Sequence, residues 1–107
     1  VNSDRLNQSI EDLAKIGHLS HGGVCRIAFT PEDITARNLV QHWMIEARMS
    51  VRIDAAGNII GTYAGKDPQA PALSTGSHID TVPTGGRYDG AYGVLAGIEV
   101  VRVLQEA

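Results

Sequence analysis

Hydrophobic residues recur with the period of an α-helix in three stretches of the chain. The first stretch ends at Gly17, a common helix stop, and its apolar stripe consists of Leu6, Ile10, Leu13 and Ile16. The last stretch follows a glycine-rich loop, and its inward positions are Val94, Leu95, Ile98, Val101 and Leu104. Each stretch therefore predicts an amphipathic helix with one face on a core.

The second helix has the clearest start. Thr30 offers an N-cap hydroxyl, Pro31 suits the first helical position, and Glu32 and Asp33 place acidic groups at the positive end of the helix dipole. Its predicted apolar face consists of Ile34, Leu39, Val40, Trp43, Met44 and Ala47.

Strand patterns lie between the second and third helices. Alternating residues at 50–54 and 58–63, joined by a turn at 55–58, predict a β-hairpin. Residues 72–78 predict a third, short and buried strand that ends at His78. The expected order is α-α-β-β-β-α, which indicates a layered α/β fold. In such folds functional groups collect where strands end.

Length and composition restrict the class of protein. The chain has 107 residues, a net charge of −3 and 43% hydrophobic residues, which favours one folded domain. It has no Lys/Arg cluster and no apolar run of about 20 residues, so nucleic acid and membranes are not expected partners. Cys25 is the only cysteine, so we expect no internal disulfide and a cytoplasmic location.

The segment from Gly76 to Gly90 carries the candidate chemistry. His78 and Asp80 are two residues apart, so on an extended backbone they point to the same side. Asp89 follows in a loop whose glycines allow a close approach to a crowded site. An imidazole with a nearby carboxylate suits a metal ligand, and a second carboxylate can bridge two cations.

The spacing alone also admits other interpretations. A histidine followed two residues later by an aspartate is common and usually has no function. A glycine-rich loop before a helix could bind phosphate, but the known phosphate-binding fingerprints are absent. Ser77, His78 and Asp80 could suggest a hydrolase triad, but Ser77 would point away from His78 on a strand.

Three motifs together resemble one family. The segment from Gly76 to Glu99 resembles the metal-binding signature of the amidase, hydantoinase and carbamoylase family, which includes N-carbamoyl-L-amino-acid hydrolases and allantoate amidohydrolases; it reads GSHIDTVPTGGRYDGAYGVLAGIE. Residues 26–33, RIAFTPED, and 54–61, DAAGNIIG, are similar to two further segments of that family. The family is of the dinuclear zinc exopeptidase type.

The resemblance implies roles for particular residues. His78 and Asp89 are expected to bind metal, with Asp89 bridging two divalent ions, and Asp80 is expected to orient His78. Zinc is the first expectation, and Mn, Co or Ni are alternatives. The peptide bond after the bridging acid is cis in some such enzymes, which makes Asp89–Gly90 a candidate cis bond.

The resemblance also implies an incomplete site. Residues 1–107 would be a single N-terminal portion of the catalytic domain, without the rest of that domain or the dimerisation domain. Two metals sharing one bridge need about five ligands, and only two are present. We therefore expect a fragment of an amidohydrolase for a small-molecule substrate, inactive alone. The alternative is a non-catalytic remnant that self-associates or binds a partner. In either case we expect a homo-oligomer.

Overall fold

The computed structural model describes residues 1–107. Three helices and one hairpin form in the order α1 (Ser3–Ala14), α2 (Pro31–Glu46), β1 (Ser50–Ile53), β2 (Ile59–Thr62) and α3 (Ala91–Glu106). Helix α1 packs against α3, and α2 packs against the hairpin. The α/β class is confirmed, and no helix is long and apolar enough to cross a membrane.

The predicted helix ends follow from local chemistry. The side chain of Thr30 accepts a hydrogen bond from the backbone N–H of Asp33, and Pro31 occupies the first turn of α2. The carboxylate of Asp33 accepts from the backbone N–H of Phe29, the residue before the cap, at 2.9 Å, so a second side-chain bond stabilises the start of α2. Gly17 adopts a φ of +83°, where glycine is favoured, soon after α1 ends.

The hairpin has the predicted register and turn. Strands β1 and β2 are antiparallel, with Ser50 opposite Thr62 and Ile53 opposite Ile59. In the turn, the carboxylate of Asp54 accepts backbone N–H groups from Ala56 and Asn58. These bonds hold the turn and lower the pKa of Asp54, the largest cause being the side-chain bond from Asn58.

The predicted third strand is not formed. Residues 72–78 contain no strand and are exposed, and Leu73 is fully exposed. A strand needs a neighbouring ladder, but β1 and β2 form a two-stranded sheet with each other and offer 72–78 no partner. The prediction of a short buried strand was therefore wrong for this chain, although the hairpin was correct.

One core joins the three helices. Its buried members are Ile10, Leu13, Ala36, Val40, Ala47, Ile79, Ala91, Leu95 and Ile98. Ile34 and Leu104 were predicted to face inward and are exposed instead. Ile34 is exposed because Ala36, four residues before Val40, takes the core-facing position. Leu104 lies six residues after Ile98, about 240° around the helix, and so leaves the buried stripe.

Arg26 is the largest fully buried side chain, at 1% exposure. Its guanidinium donates to three backbone carbonyls: Ile79 at 2.8 Å, and Leu13 and Ile16 at 2.9 Å each. Burial lowers the pKa of Arg26, and the charges of Asp33 and Asp80 oppose that change. The residue thus connects the end of α1 to the segment around Ile79.

We expect Arg26→Lys to lower the free energy of unfolding by about 3 kcal/mol. One ammonium cannot satisfy three carbonyls that a guanidinium reaches, and each unpaired buried group costs about 1–3 kcal/mol. The matched control is Arg52→Lys on exposed β1, which should change stability by less than about 0.5 kcal/mol. Urea denaturation measures both, and equal stabilities would contradict the structural role of Arg26.

A buried carboxylate joins α1 to α3. Glu99 is 2% exposed and accepts two hydrogen bonds at 2.8 Å from Arg5 and one at 3.0 Å from the backbone N–H of Asn2. The bonds from Arg5 hold the pKa of Glu99 below its ordinary value. Arg5 also pairs with Glu106 near the end of α3.

Glu99→Gln should lower the free energy of unfolding by about 2 kcal/mol at pH 7, because bonds to a charged group are lost. The contribution of Glu99 is complete above its unfolded-state pKa, about 4.3, and disappears as the pH falls through the lower folded-state value. Below pH 4 the stability of the unsubstituted chain should therefore fall more steeply than that of the variant. Denaturation curves from pH 2 to 7 test this, with exposed Glu11→Gln as control. Parallel pH dependences would contradict the assignment.

Candidate metal-binding site

The main chain alternates between buried and accessible side chains where the candidate site lies. Ile79 and Thr81 are buried, whereas the side chains of His78 and Asp80 are about half exposed, at 51% and 46%. The two polar side chains therefore lie on the outer side of a segment that the core holds from within.

One ring nitrogen of His78, Nδ1, makes a hydrogen bond, and the other, Nε2, makes none. Its Nδ1 lies 2.9 Å from the backbone carbonyl oxygen of Asp80 and 3.4 Å from a carboxylate oxygen of the same residue. Since a carbonyl can only accept, Nδ1 carries the proton and Nε2 keeps its lone pair in the neutral ring. This is the arrangement of a histidine that binds metal through Nε2.

The same imidazole rests directly on the backbone of Gly90. A Cβ atom built on Gly90 would lie 2.5 Å from each ring nitrogen of His78, so only a glycine leaves room for the ring. Asp89 precedes this glycine, so its backbone adjoins the residue that the His78 ring contacts. The chain contains no cis peptide bond, so Asp89–Gly90 is trans, and Gly90 has a φ of +74°.

The carboxylate of Asp89 is available to a cation. The residue is exposed, and none of the chain's ion pairs involves it. One imidazole nitrogen and one carboxylate are a donor set that divalent transition metals accept. Nowhere in the chain do three or more His, Cys, Asp or Glu side chains form a group that could hold a metal ion. The residues present therefore fit part of a metal site.

The layer beneath the site was missed by sequence reasoning. The backbone N–H of Thr81 donates to the carbonyl of Arg26 at 2.8 Å, and the backbone N–H of Arg26 donates to the Thr81 hydroxyl at 2.7 Å. Val24 and Gly85 exchange backbone hydrogen bonds in the same layer. Arg26, although charged, is itself buried in this layer. The signal that could have revealed it is a single charge within the apolar run Val24–Phe29.

The triad interpretation finds no support in the geometry. Ser77 packs its side chain towards Gly93 of α3, where an added Cβ would lie 2.9 Å from the Ser77 Cβ and 3.2 Å from its hydroxyl. The hydroxyl makes no hydrogen bond to His78, whose Nδ1 bonds to Asp80. Ser77 therefore has a packing contact with α3.

Comparisons with known proteins agree with this fold. A model of peptidase family M28 matches residues 58–107. An N-carbamoyl-L-amino-acid amidohydrolase of Pseudomonas sp. (strain NS671) is 46% identical over 107 residues, which are 100% of this chain and 26% of that protein. A ureidoglycolate hydrolase of Arabidopsis thaliana is 40% identical over 107 residues, 100% of this chain and 22% of that protein.

A solved structure gives the same relation at the level of the fold. The crystal structure of a hydantoinase/carbamoylase family amidase from Burkholderia ambifaria superposes with a TM-score of 0.96 and 47% identity, over 99% of this chain and 26% of that one. The chain spans about a quarter of the length of the relatives it matches.

Residues 58–107 are thus similar to a segment of peptidase family M28. Over its whole length it is related, in sequence and in fold, to amidases of the hydantoinase/carbamoylase family, and it corresponds to their N-terminal part.

Proposed function

We propose that the protein carrying this sequence is a metal-dependent amidohydrolase that cleaves linear C–N bonds in N-carbamoyl amino acids, allantoate or similar small molecules. The observation that carries the proposal is the His78 imidazole, which rests on Gly90 beside Asp89 with Nε2 free. The relatives named above, an N-carbamoyl-L-amino-acid amidohydrolase and a ureidoglycolate hydrolase, supply the substrate class.

Each residue of the site has a definite task in this proposal. His78 offers Nε2 as a ligand, and the backbone carbonyl of Asp80 keeps the proton on Nδ1. The Asp80 carboxylate, 3.4 Å from Nδ1, favours the ring in this orientation electrostatically. Asp89 has two carboxylate oxygens, so it can bind two cations at once. His78 and Asp89 would contribute to holding divalent cations, for which zinc is the first expectation, and such cations would supply polarisation of the scissile carbonyl and activation of a water molecule.

Residues 1–107 offer two ligands, fewer than the about five that two metals require. The remaining ligands and the general base are therefore proposed to come from outside this stretch. The stretch alone should bind metal weakly and show no turnover.

The decisive assay uses the full protein that carries this sequence, loaded with zinc. We expect hydrolysis of at least one of three substrates, namely an N-carbamoyl-L-amino acid, allantoate and ureidoglycolate, with loss of activity in a chelator. His78→Ala and Asp89→Ala should each lower kcat at least about 100-fold, because each removes a metal ligand. His42→Ala is the control, because His42 pairs with Glu46 on α2. Full activity in either site variant, or inactivity on all three substrates, would contradict the proposal.

Self-association is the second candidate function. Phe29, Leu73 and Val82 are exposed apolar residues, and the backbone of 72–78 has no ladder partner. Such surfaces favour association of copies. Light scattering of the 107-residue chain at rising concentration should give at least a dimer mass, and Leu73→Lys should lower it. A constant monomer mass would refute self-association.

A further inference from the structure

Three glycines near the start of α3 lie against the segment that ends at His78. A Cβ at Gly97 would lie 3.1 Å from the Thr75 methyl group, and one at Gly93 would lie 2.9 Å from the Ser77 Cβ. At Gly90 it would lie 2.5 Å from both ring nitrogens of His78. We call Gly90, Gly93 and Gly97 the glycine track.

The glycine track sets the distance between residues 75–78 and α3, which strand pairing would otherwise set. Residues 75–78 have no strand ladder and are exposed, so no sheet sets their distance from α3. Close contact with the glycines sets it instead, because a side chain at Gly93 or Gly97 would press on Ser77 or Thr75. Gly93 and Gly97 contact Ser77 and Thr75, which precede the candidate ligand. Gly90 contacts the candidate ligand His78 itself.

The contact at Gly90 differs from the other two in which atoms an added side chain would displace. Its neighbour is the ring of a half-exposed side chain, which can rotate into solvent without disturbing the core. An added methyl group would therefore displace the imidazole and leave the fold in place. That displacement would break the 2.9 Å contact between Nδ1 and the Asp80 carbonyl.

We propose that Gly90 is a positioning residue: the absence of a side chain there lets the His78 imidazole lie against the backbone of the residue that follows Asp89, and so fixes the orientation of the ring. This contact involves only residues of the chain itself. Its effect on metal binding rests on the proposed function.

The experiment compares Gly90→Ala with Gly57→Ala in the full protein that carries this sequence. Both glycines have positive φ values, +74° and +92°, so alanine strains the backbone at each, but a Cβ at Gly57 meets nothing within 4 Å. The comparison thus separates the effect of displacing the His78 ring from the effect of backbone strain. The first readout is the pair of imidazole nitrogen shifts of His78 at pH 8 without metal. The second is the dissociation constant for Zn²⁺.

We expect the unsubstituted chain and Gly57→Ala to show Nδ1 protonated, and Gly90→Ala to show the mixture of an unrestrained ring. The dissociation constant should rise at least about 10-fold in Gly90→Ala alone. Nitrogen shifts in Gly90→Ala that match those of Gly57→Ala would overturn the proposal. Changed shifts with unchanged Zn²⁺ affinity would support the role of Gly90 in orienting the ring and overturn the proposed metal site.

A second measurement needs no substitution and covers the case in which Gly90→Ala fails to fold. In the unsubstituted chain, Hε1 of His78 should show a strong nuclear Overhauser effect to the α-protons of Gly90, because the ring lies against that carbon. Absence of this effect would overturn the proposal directly.

Discussion

The buried guanidinium of Arg26 is the interaction on which the rest of the structure depends. Three backbone carbonyls, two near the end of α1 and one at Ile79, accept its hydrogen bonds at 2.8–2.9 Å. Carbonyls at a helix end have no partner within the helix, and burying them unpaired would be costly. One side chain therefore donates to two carbonyls near the end of α1 and holds the segment that carries the candidate ligands.

The candidate site follows from this frame. Ile79 is held in the core by its own side chain and by Arg26 at its carbonyl, so the residues on either side, His78 and Asp80, must face outward. Thr81 continues the frame through its bonds to the backbone of Arg26. Ligands that project from a fixed backbone lose little entropy when they bind, which is the requirement for a preorganised site.

Local sequence predicted the parts of the fold that local chemistry determines. The cap at Thr30, the stop near Gly17 and the hairpin turn at Asp54 all form as expected, because each depends on residues within about five positions. The strand at 72–78 could not be predicted correctly, since a strand depends on a distant ladder that this chain does not provide.

The candidate site likewise has features that the sequence predicted and features that only the structure shows. Family resemblance pointed to His78, Asp80 and Asp89, and the geometry supplied what a sequence cannot show, namely which imidazole nitrogen is free and why a glycine follows Asp89. The burial of Arg26 and the pairing of Glu99 with Arg5 join residues 53 and 94 positions apart. No periodicity reveals contacts of that range, because they arise only when the helices pack.

The most direct test of the proposed metal site is anomalous diffraction at the zinc edge. The crystals would be of the full protein that carries this sequence, grown with Zn²⁺. We predict a peak about 2.0–2.1 Å from Nε2 of His78 and about 2.0–2.2 Å from a carboxylate oxygen of Asp89. A zinc peak on Nδ1 of His78, or zinc bound without either residue, would contradict it.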